Sequence, residues 1–315
     1  MSVLPNLLII GAPKCATTSI ASLLEQGGAS IGRSKEPGIL TSSGMSWPQA
    51  VRLYRAHFEN RTAGSLRRID ATPWTLYSQN GLTLVDRLDQ EVGRGLQIVV
   101  SLRDPINRAI SMHADQVRRG RERRSVSDAL EDSMNDYLRM ATQSVRPIDY
   151  VAASTYSKYL EPWIRRFAST DQIRVFSFEK LTNADSGLDS LSEWTRVPLS
   201  ELDHLNSSST PGNSLDPFMD KVVELGQHLP RQLRTMLRRP ALAALPVFHS
   251  MGRETKVDSG ARAKVQLSGR FLEWWHQERR DLESLAERHD MEIDTESWNP
   301  EPEFPDQNES EATNE

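Results

Sequence analysis

The stretch Gly11-Ala12-Pro13-Lys14-Cys15-Ala16-Thr17-Thr18-Ser19 gathers several groups that handle anions. It follows the apolar run Leu7-Leu8-Ile9-Ile10 and precedes Ile20, Leu23 and Leu24 at helical spacing, so it reads as the turn between a buried strand and a helix. Such a turn aims the unbonded N–H groups of the helix start at one point, with the positive end of the helix dipole behind them, and that point favours phosphate. Lys14 adds a full positive charge, and Thr17, Thr18 and Ser19 add hydroxyl donors. The nucleotide-kinase loop, G-x-x-x-x-G-K-[ST], sets its lysine directly before the hydroxyl residue. Here Ala16 and Thr17 fill the Gly and Lys positions and the lysine comes earlier, which suits a shorter anion chain than a triphosphate.

A second stretch, Arg103-Asp104-Pro105-Ile106-Asn107-Arg108-Ala109-Ile110-Ser111, follows the apolar run 96–102. Asp104 and Pro105 are an N-cap and a first-turn proline, predicting a helix that runs towards Arg119. Arg103, at the end of a strand, can fork onto a phosphate, and Ser111 can donate one more hydrogen bond from the helix. Ligand sites at strand ends are what an open parallel sheet predicts. Arg108 is left between three roles: bracing Asp104, bracing a neighbouring helix, or touching ligand.

Together these stretches resemble the two nucleotide motifs of the PAPS-dependent sulfotransferases, in their bacterial and carbohydrate-type branch: P-K-[STA]-G-T-T-S around the 5′-phosphosulfate and R-[DN]-P-x-x-R-x-x-S around the 3′-phosphate. The chain departs from the first pattern at Ala16, where the family commonly has Gly, and at Cys15. The resemblance implies transfer of the sulfuryl group from 3′-phosphoadenosine 5′-phosphosulfate (PAPS) to a hydroxyl or amine of a carbohydrate, lipid or natural product, leaving PAP. It implies donor binding by Lys14, Cys15, Ala16, Thr17, Thr18, Ser19, Arg103 and Ser111, with Lys14 also offsetting charge on the leaving phosphate. No metal is required, because a lysine and backbone amides do the neutralising that magnesium does in a kinase.

Ser34-Lys35-Glu36-Pro37-Gly38-Ile39-Leu40 resembles the family's K-E-P-x-[FY]-[FL] segment, which implies Glu36 as general base. Histidine-dependent members would instead call on His57 or His113, neither of which lies in a matching motif. Asp70-Ala71-Thr72-Pro73-Trp74-Thr75-Leu76 corresponds to [GE]-E-[KA]-[ST]-P-x-Y-L, with Ala71 where some members carry a lysine. Weaker similarity runs through Tyr156, Leu160, Trp163 and the 178–181 segment to Trp298, and Arg253, Lys256 and Arg262 fall where the family often covers the nucleotide. Two rival readings are a P-loop nucleotide kinase and a non-catalytic module that binds phosphoadenosine or an anionic glycan.

These residues need a scaffold, and the remaining pattern supplies one. The apolar run 173–178 follows an amphipathic helix carrying Tyr156, Leu160, Trp163, Ile164 and Phe167, and residues 267–288 are helical again. Strands alternating with helices predict an α/β fold: a P-loop-type parallel sheet flanked by helices on both faces. We expect one catalytic domain over 1–300, with a loop at 206–212, arginine-rich helix towards Pro240, and a disordered acidic tail over 301–315. The net charge of -5 argues against a nucleic-acid partner, and a single cysteine excludes an internal disulfide and a cysteine-based zinc site. The apolar run 7–10 is too short for a signal core or a membrane span, so a cytoplasmic protein is expected. The basic run Arg118, Arg119, Arg121, Arg123 and Arg124 reads either as a solvated face or as a dock for an acidic acceptor.

Overall fold

The computed structural model describes residues 4–59, 65, 67–93, 95–139, 145–182, 187–199 and 267–298. Four parallel strands form one sheet: β1 (Leu7–Gly11), β2 (Ile69–Asp70), β3 (Gln97–Leu102) and β4 (Ile173–Ser177), in the order β2-β1-β3-β4. Leu8 pairs with Ile98 and Ile98 with Ile173, and the three longer strands end on the same side, with the β1–β3 register shifting between Ile9 and Gly11. Side chains alternate across the sheet. Leu8, Ile10, Ile98, Val100 and Leu102 enter one apolar cluster, while Leu7, Ile9 and Val99 enter another. Both faces are therefore covered, and the strands read as continuous apolar runs for that reason.

Helices α1 (Thr17–Gln26) and α8 (Gly187–Thr195) cover one face through Ile20, Leu24, Leu191 and Trp194. The other is covered by α2 (Trp47–Phe58), α3 (Gln79–Glu91), α4 (Pro105–Arg118), α5 (Val126–Arg139), α6 (Tyr156–Phe167) and the helix α9 (Gly269–Arg288). The short α7 (Phe178–Thr182) follows β4 directly, so the strand stops one residue before the predicted Phe178. Residues 206–240, Arg253, Lys256, Arg262 and the tail after 300 lie outside the described residues. No helix among the described residues is long and apolar enough to cross a membrane.

The helix after β3 begins as the sequence dictates. The Asp104 side chain accepts from Asn107 N–H at 2.8 Å, and Pro105 occupies the first position, where its missing N–H costs nothing. It closes at Gly120, whose φ of 70° lets Arg121 N–H reach the Gln116 carbonyl at 2.9 Å. Arg108 lies wholly inside, donating to Ser154 Oγ at 2.6 Å and to the Tyr150 carbonyl at 2.8 Å. These bonds brace a neighbouring element, one of its three readings, and leave Arg108 Nη1 buried with no hydrogen-bond partner among the described residues.

Candidate active site

The loop between β1 and α1 is held from below: Ala12 N–H donates to the Ser101 carbonyl of β3 at 2.7 Å. Two residues take left-handed backbone, Lys14 with φ of 74° and Ala16 with φ of 59°, the latter as N-cap of α1. A Cβ costs about 1–2 kcal/mol in that conformation, a cost that glycine in place of Ala16 would avoid. The chain accepts the strain to bring the first-turn amides of Thr17, Thr18 and Ser19 to the loop mouth, where no carbonyl four residues back can take them.

Cys15 is wholly buried in the loop. Its thiol turns into the core, 3.8 Å from both the Pro13 carbonyl and Tyr156 Oη, and burial pushes it up to about 11. Its amide donates to the Ala12 carbonyl at 3.2 Å. Cys15 shapes the loop from inside rather than facing its mouth.

Thr18 links the loop to the Lys35–Glu36 segment. Lys35 Nζ donates to Thr18 Oγ1 at 2.8 Å and sits 2.5 Å from Glu36 Oε1, so the three side chains form one chain of contacts. Thr18 Oγ1 accepts there, which leaves its own proton to donate. The segment is pinned by the end of β2: Ala71 N–H donates to the Lys35 carbonyl at 3.0 Å and Gly38 N–H to Thr72 Oγ1 at 3.2 Å. Thr72 Oγ1 in turn donates to Asp70 Oδ1 at 2.6 Å, while Tyr54 donates to Oδ2 at 2.5 Å. Burial raises the Asp70 carboxyl, and these bonds oppose that rise. Asp70 and Tyr54 are supporting residues to which the sequence reading gave no role of their own; a buried acid beside the Thr72-Pro73 turn was the available signal.

Lys14 reaches the other way, towards α4, where its ammonium lies 3.6 Å from Asp115 Oδ1. Arg118 Nη2 and Arg119 Nε touch the same carboxylate at 2.5 and 2.7 Å. Burial lowers the Lys14 pKa; Asp115 opposes that, and the two guanidiniums add to it. Burial would raise Asp115, but Lys14 and both arginines outweigh it and hold the acid below the ordinary carboxylate range.

Arg103 closes β3, the strand paired with β1. It is half-buried, with its guanidinium 4.4 Å over the Phe178 ring, and its carbonyl accepts from Tyr156 Oη at 3.0 Å. Tyr156 therefore lies between the Arg103 strand end and Cys15 of the loop. Ser111 is half-buried on α4, one turn before Asp115, so those two share a helix face. His57 and His113 are both buried, with a ring nitrogen against the Ile31 carbonyl at 3.0 Å and the Arg124 carbonyl at 3.1 Å. At Gly32 (φ of 67°) a Cβ would come within 2.3 Å of His57 Nε2, a measure of how closely that ring packs.

No family model and no curated protein matches the chain. Among solved structures it is similar to a sulfotransferase from Alicyclobacillus acidocaldarius, at 19% identity and a TM-score of 0.47, over 71% of this chain and 90% of that one.

Proposed function

We propose that the protein transfers a sulfuryl group from PAPS to a hydroxyl or amine of an acceptor. The observation that supports this best is the position of two anion-binding stretches, the Lys14 loop and Arg103, at the ends of the paired strands β1 and β3, with the Tyr156 hydroxyl between them. A donor with a phosphosulfate at one end and a 3′-phosphate at the other matches that division. The first-turn amides, the Thr18 proton and the Lys14 ammonium fit the phosphosulfate; the Arg103 fork and the Ser111 hydroxyl fit the 3′-phosphate.

When bound, the donor supplies a sulfur whose bond to the bridging phosphate oxygen breaks as the acceptor oxygen or nitrogen bonds to it. Glu36 takes the acceptor's proton as that bond forms. Lys14 offsets the charge building on the bridging oxygen. Lys35 holds the Glu36 carboxylate against the first turn of α1, so base and ammonium approach the reacting group from two sides of one loop.

Calorimetry and isotope transfer test this together. Arg103→Ala is expected to weaken PAPS by about 1.5–3 kcal/mol, the range of a charge-assisted bond, and to weaken adenosine phosphosulfate, which lacks the 3′-phosphate, far less. With labelled PAPS and a panel of acceptors, Glu36→Gln should keep donor affinity and lower transfer by about 10²–10⁴. Tighter binding of ATP with magnesium than of PAPS would replace this reading with the kinase one.

A further inference from the structure

The arginine run after α4 is not one uniform face. Arg124 is taken up by Glu122 at 2.6 Å and Asp132 at 2.8 Å. Arg121 and Arg123 are exposed and make no ion pair among the described residues. Arg118 and Arg119 are different again, because they share Asp115 with Lys14. Lys14 and Arg118 touch the same oxygen, Asp115 Oδ1, so their nitrogens are no further apart than those two contacts laid end to end. Three cations thus meet at one anion, in a chain whose net charge is -5.

Both guanidiniums keep capacity to spare. Each carries five N–H donors, and Asp115 engages one nitrogen of each. Their side chains stay 59% and 53% exposed although Asp115 itself is 7% exposed, so each is anchored through one nitrogen, Nη2 in Arg118 and Nε in Arg119, and otherwise largely open. The donor's two anionic ends already have partners in the α1 amides with Lys14 and in Arg103 with Ser111. The guanidinium pair is surplus to them.

We infer that Arg118 and Arg119, fixed beside Lys14 by Asp115, form a subsite for an anionic group on the acceptor: a carboxylate, a sulfate ester or a phosphate. The inference rests on the proposed role of Lys14. It narrows the substrate class to acceptors already negatively charged near the hydroxyl or amine that reacts, since Lys14 stands at the transferred group. Arginine suits the task because its planar fork recognises oxyanions in pairs of hydrogen bonds.

The test uses full-length protein saturated with PAP, titrated with sucrose octasulfate and with sucrose. Wild type should bind the octasulfate and not sucrose. Arg118→Gln/Arg119→Gln should weaken the octasulfate by about tenfold or more, the scale of lost charge-assisted bonds, while PAP affinity stays within about twofold, which also shows the variant folded. Arg165→Gln/Arg166→Gln, at the exposed end of α6, should leave octasulfate binding unchanged. The inference is overturned if PAP-loaded wild type ignores the octasulfate, if the α6 control loses as much, or if the α4 variant loses PAP affinity, because the arginines would then serve the donor. Failure of wild type to bind PAP at all would instead remove the sulfotransferase reading beneath it.

Discussion

Replacing Asp115 by Asn isolates the electrostatics of the loop, because it removes one negative charge from among three cations while keeping the side chain's shape. At a separation near 3.6 Å two unit charges attract by about 1 kcal/mol in bulk water and by about 4 kcal/mol at an effective dielectric near 20. Lys14 is 29% exposed and its partner 7%, which places the pair between those limits. Loss of Asp115 also releases Arg118 and Arg119, which then swing towards solvent and repel Lys14 less. A net loss of about 1–2 kcal/mol remains for the protonated amine, equal to a rise of about five- to thirtyfold in its neutral fraction. Competitive acetylation near neutral pH reads that fraction directly, with the exposed Lys158 as internal reference and mass spectrometry of the Lys14 peptide as readout. Lys14 in Asp115→Asn should label about five- to thirtyfold faster than in wild type. The alkaline limb of the transfer rate should move to lower pH in parallel, because a neutral Lys14 offsets no charge. Unchanged or slower labelling would refute the claim that Asp115 keeps Lys14 charged.

Three further outcomes follow from single contacts. Ala16→Gly relieves left-handed strain of about 1–2 kcal/mol and gives back about 0.5–1 kcal/mol in chain entropy, so chemical denaturation should find the variant equal to wild type or up to about 1.5 kcal/mol more stable; a clear loss would mean the loop does not hold this conformation. Tyr156→Phe removes the hydroxyl on the Arg103 carbonyl and should cost about 1–3 kcal/mol in stability and weaken PAP in calorimetry, whereas unchanged values for both would show that the hydroxyl links nothing. Glu278 is buried and pushed up to about 8 by desolvation, against hydrogen bonds from Ser157. The fold therefore binds a proton that the unfolded chain releases near pH ~4.3, so this contribution is full below that pH and is lost as pH rises through about 8. Glu278→Gln should flatten the decline of the denaturation midpoint from about pH 5 to pH 9, and an identical slope in both proteins would count against it.

What the sequence revealed and what it hid divide along physical lines. The turns at Gly11–Ser19 and Arg103–Ser111 were legible because local chemistry sets them: a continuous apolar strand, a break, then a cap or a hydroxyl run at a helix start. Helices α6 and α9 were legible from their apolar spacing. The edge strand β2 has two residues, Ile69–Asp70, too few for any period to register, and it went unread. Helices α3, α5 and α8 carry no motif and went unread. Ion-pair partners were invisible, because a run of five arginines does not say that Arg118 and Arg119 turn inward to Asp115 while Arg124 turns to Glu122. Nor did a proline–lysine loop announce that Cys15 would face the core.

The same distinction explains why residues remote from the motifs govern the site. Trp275 of α9 donates to Asp104 Oδ2 at 2.6 Å, and Glu278, one turn on, accepts from Ser157 N–H and Oγ at 2.8 Å. Asp104 caps α4 directly after Arg103, and Ser157 follows Tyr156 at the start of α6. One face of α9 therefore holds the starts of the two helices that set the Arg103 strand end, one by its side and one through the Tyr156 hydroxyl. Both carboxylates are buried, and desolvation pushes Asp104 up to about 6 as it pushes Glu278 up to about 8, so each contact is made at an energetic cost. That cost is tolerated where it fixes geometry: an apolar contact would bury α9 equally well but would not fix the register of the two helix starts. The Arg103 strand end is thus positioned by hydrogen bonds across more than a hundred residues of sequence, and the Lys14 loop by the backbone of a single turn.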